Sequence, residues 1–264
     1  MTYIPAGSAP SGQWNLEITP DLAGWVYCGL RVADLAGEPV RFETGSEEML
    51  VVPLSGSCEV VADGVRLELQ GRRSVFDGVT DFAYLPVGAS VRLAGEGRIA
   101  LPSAQATRRL PVRYGPADAV PVETRGGGVA TRRINNFCAP EVFECDRLMA
   151  VEVITPGGNW SSYPPHKHDA PGEHEAVLEE IYYYEGGPGY QRVYSSPGNP
   201  IDVLAEVNSG DVVLVPYGYH GPSMASPGYD LYYLNVLAGP GEQRSMAFSD
   251  DPRHAWIRET WATS

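Results

Sequence analysis

Tyr163–Tyr184 reads YPPHKHDAPGEHEAVLEEIYYY, and its two ends decide the fold. At one end His166 and His168 are separated by a single residue. Side chains alternate faces along an extended strand, so both imidazoles point the same way. At the other end Glu180 opens the run Ile181-Tyr182-Tyr183-Tyr184, whose β-branched and aromatic residues favour a strand. GDVVLVPYGYH, 210–220, then supplies a second strand, a Pro-x-Gly turn and His220. A small barrel brings His166, His168, Glu180 and His220 together. Neutral imidazoles with an ionised carboxylate suit one divalent metal ion, zinc or manganese first, with iron, nickel and cobalt also accepted.

Working outward, short apolar runs alternate with turns rich in the chain's 30 glycines and 23 prolines. No long stretch carries a helical period, so the chain reads as all-β. The best helical pieces are short, near Pro252–Ile257 and Ala104–Arg109. Trp14–Leu22 and Trp25–Leu35 read as an opening hairpin or arm. The motif also has a faded partner upstream. Glu48-Met-Leu-Val-Val followed by Leu85-Pro86-Val-Gly88-Ala-Ser90 parallels Glu180-Ile-Tyr-Tyr-Tyr followed by Val215-Pro216-Tyr-Gly218-Tyr-His220. An internal repeat of one barrel follows, with Glu48 set beside Glu180 and Ser90 beside His220. All five histidines lie in the second half, so the first barrel is expected to be metal-free. GPADAVPVETRGGGVAT is poor in large apolar residues and reads as a linker. The division is thus residues 1–114, an N-terminal barrel; 115–131, the linker; and 132–264, the metal-bearing barrel.

Glu179 and Glu180 are neighbours and face opposite sides of a strand. Glu180 is the better ligand and Glu179 the fallback. Tyr183 shares a face with Glu179 and is a further catalytic candidate, while Tyr182 and Tyr184 share one with Glu180. Arg192, in GYQRVY, is a candidate clamp for an anion inside the barrel, since a buried guanidinium needs one. Tyr229, Asp230, Tyr232 or Asn235 are within reach of the site from the strand near Pro227–Pro240. His174, Glu173 and Glu175 belong to a solvated loop, and Lys167 points away from the metal.

A formal charge of −14 argues against a nucleic-acid partner. No apolar run has the length of a membrane span, and no signal peptide is evident, so a cytoplasmic location is expected. The four cysteines, Cys28, Cys58, Cys138 and Cys145, form no CxxC pair and are expected to be reduced.

The His-x-His, Glu and Pro-x-Gly…His pattern resembles the cupin superfamily. NWSSYPPHKHD, LEEIYYYE, QRVY, GDVVLVPYGYHGPSMASPGYDLYYLNVLAGP and DDPRHAWIRETW, with AGWVYCGLRV, GRRSVF and TDFAYLP in the first half, resemble the 5-deoxy-glucuronate isomerase family of myo-inositol catabolism. The chain is also similar to the 4-deoxy-L-threo-5-hexosulose-uronate ketol-isomerases. The resemblance implies a bicupin with one metal site in its second barrel. It implies an aldose–ketose isomerisation of a small-molecule uronate sugar, with Glu179 or a cavity tyrosine as general base, and association into a homo-oligomer. An iron-dependent dioxygenase and a non-enzymatic sugar-binding cupin are the competing readings.

Overall fold

The computed structural model describes residues 2–263. Its longest strand, Ser90–Gln105, organises the first half. The first part of that strand pairs antiparallel with Val40–Glu43 and Gly56–Ala62, and the second part with Cys28–Ala36 and Glu47–Pro53. One strand therefore runs through both walls of the first barrel. Leu16–Ile18 pairs with Cys28–Ala36, so the opening hairpin is present, with a single helical turn, Pro20–Ala23, between its arms. The second barrel is made of two sheets. One contains, in spatial order, Tyr3–Ile4, Val212–Val215, Glu179–Gly186, Leu231–Ala238, Met149–Thr155, Arg132–Asn136 and Val122–Arg125. The other is built around Gly189–Ser196, Asn199–Val207 and Tyr219–Ala225, with His166–Lys167 and Ser249–Asp250 at one side.

Two features differ from the sequence reading. Ala104 and Gln105 continue a strand rather than starting a helix, because Ala104 pairs with both Cys28 and Glu48. The other short helical piece is a 3₁₀ run, Ala255–Thr263. Within 115–131, the four residues Val122–Arg125 form a strand paired with Arg132–Asn136, so part of this stretch joins the sheet of the second barrel. The N-terminal residues Tyr3–Ile4 likewise cross over to pair with Val212–Val213.

Alternation along the strands divides the core into three main clusters, with a small fourth one of Met149, Leu178 and Leu237. Met49 and Val51 fill the first barrel with Val60, Leu85, Leu93 and Leu101. Tyr182 and Tyr184 fill the second with Val153, Val193, Val213 and Tyr233. The residues that alternate with them, Leu50 and Val52 on one side and Ile181 and Tyr183 on the other, meet in the largest cluster, which joins the two barrels back to back. All four cysteines are free and buried, three of them, Cys28, Cys138 and Cys145, in this joining layer. No helix among the described residues is long and apolar enough to cross a membrane.

The ladders correct the repeat by one residue. Met49 pairs with Leu85, just before the first Pro-x-Gly corner, as Glu180 pairs with Val215 before the second. Met49 is therefore the counterpart of Glu180, and Glu48 that of Glu179. Phe42 pairs with Val91 as His166 pairs with His220, which puts Val91, rather than Ser90, at the histidine's position. Apolar side chains stand in the first barrel where imidazoles and a carboxylate stand in the second.

Candidate metal centre

His166 and His220 are brought opposite each other by antiparallel pairing of their strands, with ring centroids 4.4 Å apart. His168, two residues on, sits 4.7 Å from the His220 ring. Glu180 comes from the facing sheet, and its Oε2 lies 2.7 Å from His168 Nε2 and 3.0 Å from His220 Nε2. His168, Glu180 and His220 are all buried, and their ligand atoms lie within 4.8 Å of one another. His166 flanks this trio through its contact with His220.

Each ring is oriented from behind. Nδ1 of His168 lies 3.2 Å from the carbonyl of Leu178, that of His220 3.3 Å from Gly218, and that of His166 3.4 Å from Pro164. A carbonyl can only accept, so Nδ1 carries the proton and Nε2 keeps its lone pair toward the centre. Burial would raise the Glu180 carboxyl, but the neighbouring His220 and His168 outweigh it and hold the group well below the usual carboxylate range. Burial, with His220 alongside, pushes His166 well below the ordinary imidazole value, so that ring is neutral. The His220 Nε2 atom is buried and, for all its closeness to Glu180, makes no hydrogen bond. An orphaned ring nitrogen facing a carboxylate oxygen is what a cation between them would satisfy, so the residues fit a divalent metal.

The cavity beside the cluster has a volume of about 240 Å³. Among the described residues Glu180 is the one carboxylate on its wall; Ser162, Tyr182, Tyr233 and Asn235 supply neutral polar groups, and Arg125 and Arg132 positive ones. Ser162 Oγ links the hydroxyls of Tyr182 and Tyr233 at 3.2 and 3.1 Å. Burial raises both phenols, so they remain protonated donors.

Three residues expected near the chemistry lie elsewhere. The Glu179 carboxylate turns away into the joining layer and accepts the N–H groups of Val26, Tyr27 and Cys28 at 2.7, 2.7 and 2.8 Å. Tyr183 faces the same way, its hydroxyl donating to Glu185 at 2.7 Å. Arg192 points outward to Asp202 and the Val203 carbonyl, because its neighbours Gln191 and Val193 take the inward face of the strand. Of the four residues considered on the next strand, Asn235 alone lines the cavity; Tyr229 is exposed and Tyr232 packs between the barrels. Tyr233 was legible from alternation, since it shares a face with Asn235. Arg125 and Arg132 were not, because their segment lacks large apolar residues. His174 is exposed as expected. Glu175 does more than solvate its loop: with Asp169 it anchors Lys167, and its Oε1 accepts the N–H groups of Asp169 and Ala170.

Residues 2–257 match the model of the KduI/IolB family. The chain belongs to that family. Among KduI/IolB relatives, it is 42% identical to the 5-deoxy-glucuronate isomerase of Geobacillus kaustophilus over 97% of this chain and 95% of that one. It is 36% identical to the enzyme of the same name from Bacillus subtilis over 92% of each. The crystal structure of an IolB-like protein from Salmonella typhimurium superposes with a TM-score of 0.90 at 35% identity, covering 97% and 99% of the two chains. An oxalate decarboxylase from Lactobacillus farciminis shares the bicupin fold, with a TM-score of 0.65 at 11% identity over 94% of this chain and 88% of that one.

Proposed function

We propose that the protein is a metal-dependent aldose–ketose isomerase that converts 5-deoxy-D-glucuronate into 2-deoxy-5-keto-D-gluconate in bacterial inositol catabolism. The observation that carries this reading is the convergence of His168 and His220 on one oxygen of Glu180, in a cavity of a size for a single sugar acid, in a chain similar to named isomerases throughout its length. His166, His168, Glu180 and His220 would hold one divalent ion. Such an ion supplies Lewis acidity toward neighbouring carbonyl and hydroxyl oxygens.

The chain's own groups do the rest. Isomerisation moves a proton between adjacent carbons and another between their oxygens, so it needs a donor and an acceptor on the same side of the sugar. The linked hydroxyls of Tyr182, Ser162 and Tyr233 serve the oxygen-to-oxygen transfer, since a hydroxyl can donate to one neighbour while accepting from another. The apolar wall of Val151, Val153, Leu237 and Phe248 keeps bulk water from competing for those protons.

The test couples metal content to turnover. The purified protein is assayed for bound metal and for conversion of 5-deoxy-glucuronate by NMR, before and after chelation. Turnover is expected to vanish with the metal and return with a divalent ion. His168→Ala and His220→Ala are each expected to lose the metal and at least about 100-fold in kcat/KM, the usual order for loss of a central catalytic group. Full activity in the chelated protein or in both variants would refute the assignment.

A further inference from the structure

Arg132 is the one strongly buried cation on the cavity wall, with only 5% of its surface exposed. Its hydrogen bonds go to uncharged carbonyls, that of Ala130 at 3.0 Å and that of Tyr163 at 3.5 Å, and its guanidinium lies 5.3 Å from the Trp261 ring centroid. Among the described residues no carboxylate forms an ion pair with it. Its positive neighbours are provided for: Arg125 is bound by Glu123, and Arg258 by Asp250. Burial, with those two guanidiniums nearby, lowers Arg132 to about 10, although Tyr233 and Glu123 pull the other way. A desolvated guanidinium without a counter-charge is costly to keep and is found where an anion completes it. Glu180 does not serve, since His168 and His220 already surround it.

Building on the isomerase reading, we infer that Arg132 holds the carboxylate of the sugar acid. The guanidinium fork fixes a carboxylate through two parallel hydrogen bonds. Anchoring the acid end against Arg132 directs the carbonyl end toward His166, His168 and Glu180 on the same wall. The cavity thereby distinguishes a uronate from a neutral sugar of the same length. Arg132 is a binding and positioning residue, and Arg192 has no part in this.

The experiment compares the metal-loaded wild type with Arg132→Met and Arg132→Lys, on 5-deoxy-glucuronate and on the analogue whose carboxylate is reduced to a primary alcohol. Metal content is measured for each variant. The wild type should prefer the acid. Arg132→Met should raise KM for the acid by about 100-fold or more, with metal content unchanged and the preference over the alcohol gone. Arg132→Lys, which keeps the charge but not the fork, should fall between, and it carries the test if the methionine variant does not fold. If the wild type turns over the acid and the variants keep its KM, or lose both substrates equally, the inference is wrong and the isomerase reading stands. If the wild type turns over neither, the isomerase reading fails, and calorimetric titration with sodium D-glucuronate decides the rest. Binding to the wild type but not to Arg132→Met upholds an anion site at Arg132; equal binding, or none to either, overturns it.

Discussion

Glu48 and Glu179 occupy equivalent positions in the two barrels, and each accepts three consecutive main-chain N–H groups from the other half of the molecule. Glu48 takes those of Asp146, Arg147 and Leu148, leading into Met149–Thr155; Glu179 takes those of Val26, Tyr27 and Cys28, leading into Cys28–Ala36. The joint between the barrels is thus pseudo-symmetric, with a carboxylate, buried at Glu48 and half-buried at Glu179, holding the entry to a strand on either side. That use of Glu179 takes it out of the cavity. Glu179→Gln keeps the shape but turns an amide toward donors, and should cost about 1.5–3 kcal/mol, the range for hydrogen bonds to a charged group. Urea denaturation measures this. In folded protein kcat/KM should stay within about threefold of wild type. A loss of about 100-fold at unchanged stability would restore Glu179 as the base.

Much of this was visible in the sequence, and the parts that were not have physical causes. His-x-His, the aromatic strand after Glu180 and the Pro-x-Gly corner are local signals; the structure brings His168, His220 and Glu180 together, with His166 beside them. Alternation also said that Glu179 and Glu180 face opposite ways. It could not say that the face behind Glu180 meets another barrel, because the apolar residues Ile181 and Leu50 look like any core residues. Arg132 was hidden for a different reason: its burial comes from Trp261, more than a hundred residues away in sequence, and from a strand, Val122–Arg125, whose composition reads as loop.

A second tie crosses the same joint. Arg72 of the first barrel binds Glu152 of the second through two bonds of 2.9 and 2.7 Å, with both side chains almost fully buried, and Asn135 adds a third bond at 2.6 Å. Removing one charge from such a pair strands the other. Arg72→Met should destabilise by about 3–5 kcal/mol, and adding Glu152→Met should recover part of that loss. Denaturation of the two single variants and the double variant gives the coupling. Additive losses would show that the pair does not act as a unit.

Asp146 makes the joint sensitive to acid. Its carboxylate accepts from the N–H groups of Thr107 and Arg108, and from Arg108 Nε at 2.7 Å. Burial opposes ionisation, but these donors more than offset it and lower the group to about 2. The unfolded chain holds an ordinary aspartate near 3.9. A depressed folded-state pKa gives stability that is complete above the unfolded value and is lost as pH falls through the folded one. The advantage of wild type over Asp146→Asn should therefore be steady from pH 7 to about 4 and shrink between about 4 and 2. Solvent screening keeps the change near 1 kcal/mol. Urea titrations at stepped pH test it, and a difference that holds constant down to pH 2 would contradict it.

Gln191 and Arg192 are adjacent, and the strand Gly189–Ser196 sends them to opposite sides. The Gln191 side chain is buried and accepts the Tyr184 hydroxyl at 2.9 Å, whereas Arg192 lies over the Tyr194 ring at the surface. Arg192→Ala should change stability by less than about 0.5 kcal/mol and leave KM for 5-deoxy-glucuronate within about twofold. Gln191→Leu should cost about 1–3 kcal/mol, because it leaves a buried phenol without its acceptor. Denaturation and steady-state assays of the two variants separate the cases. If Arg192→Ala instead weakened apparent substrate affinity by about 100-fold, the anion clamp would return to the outer strand, and the reason for assigning it to Arg132 would be gone.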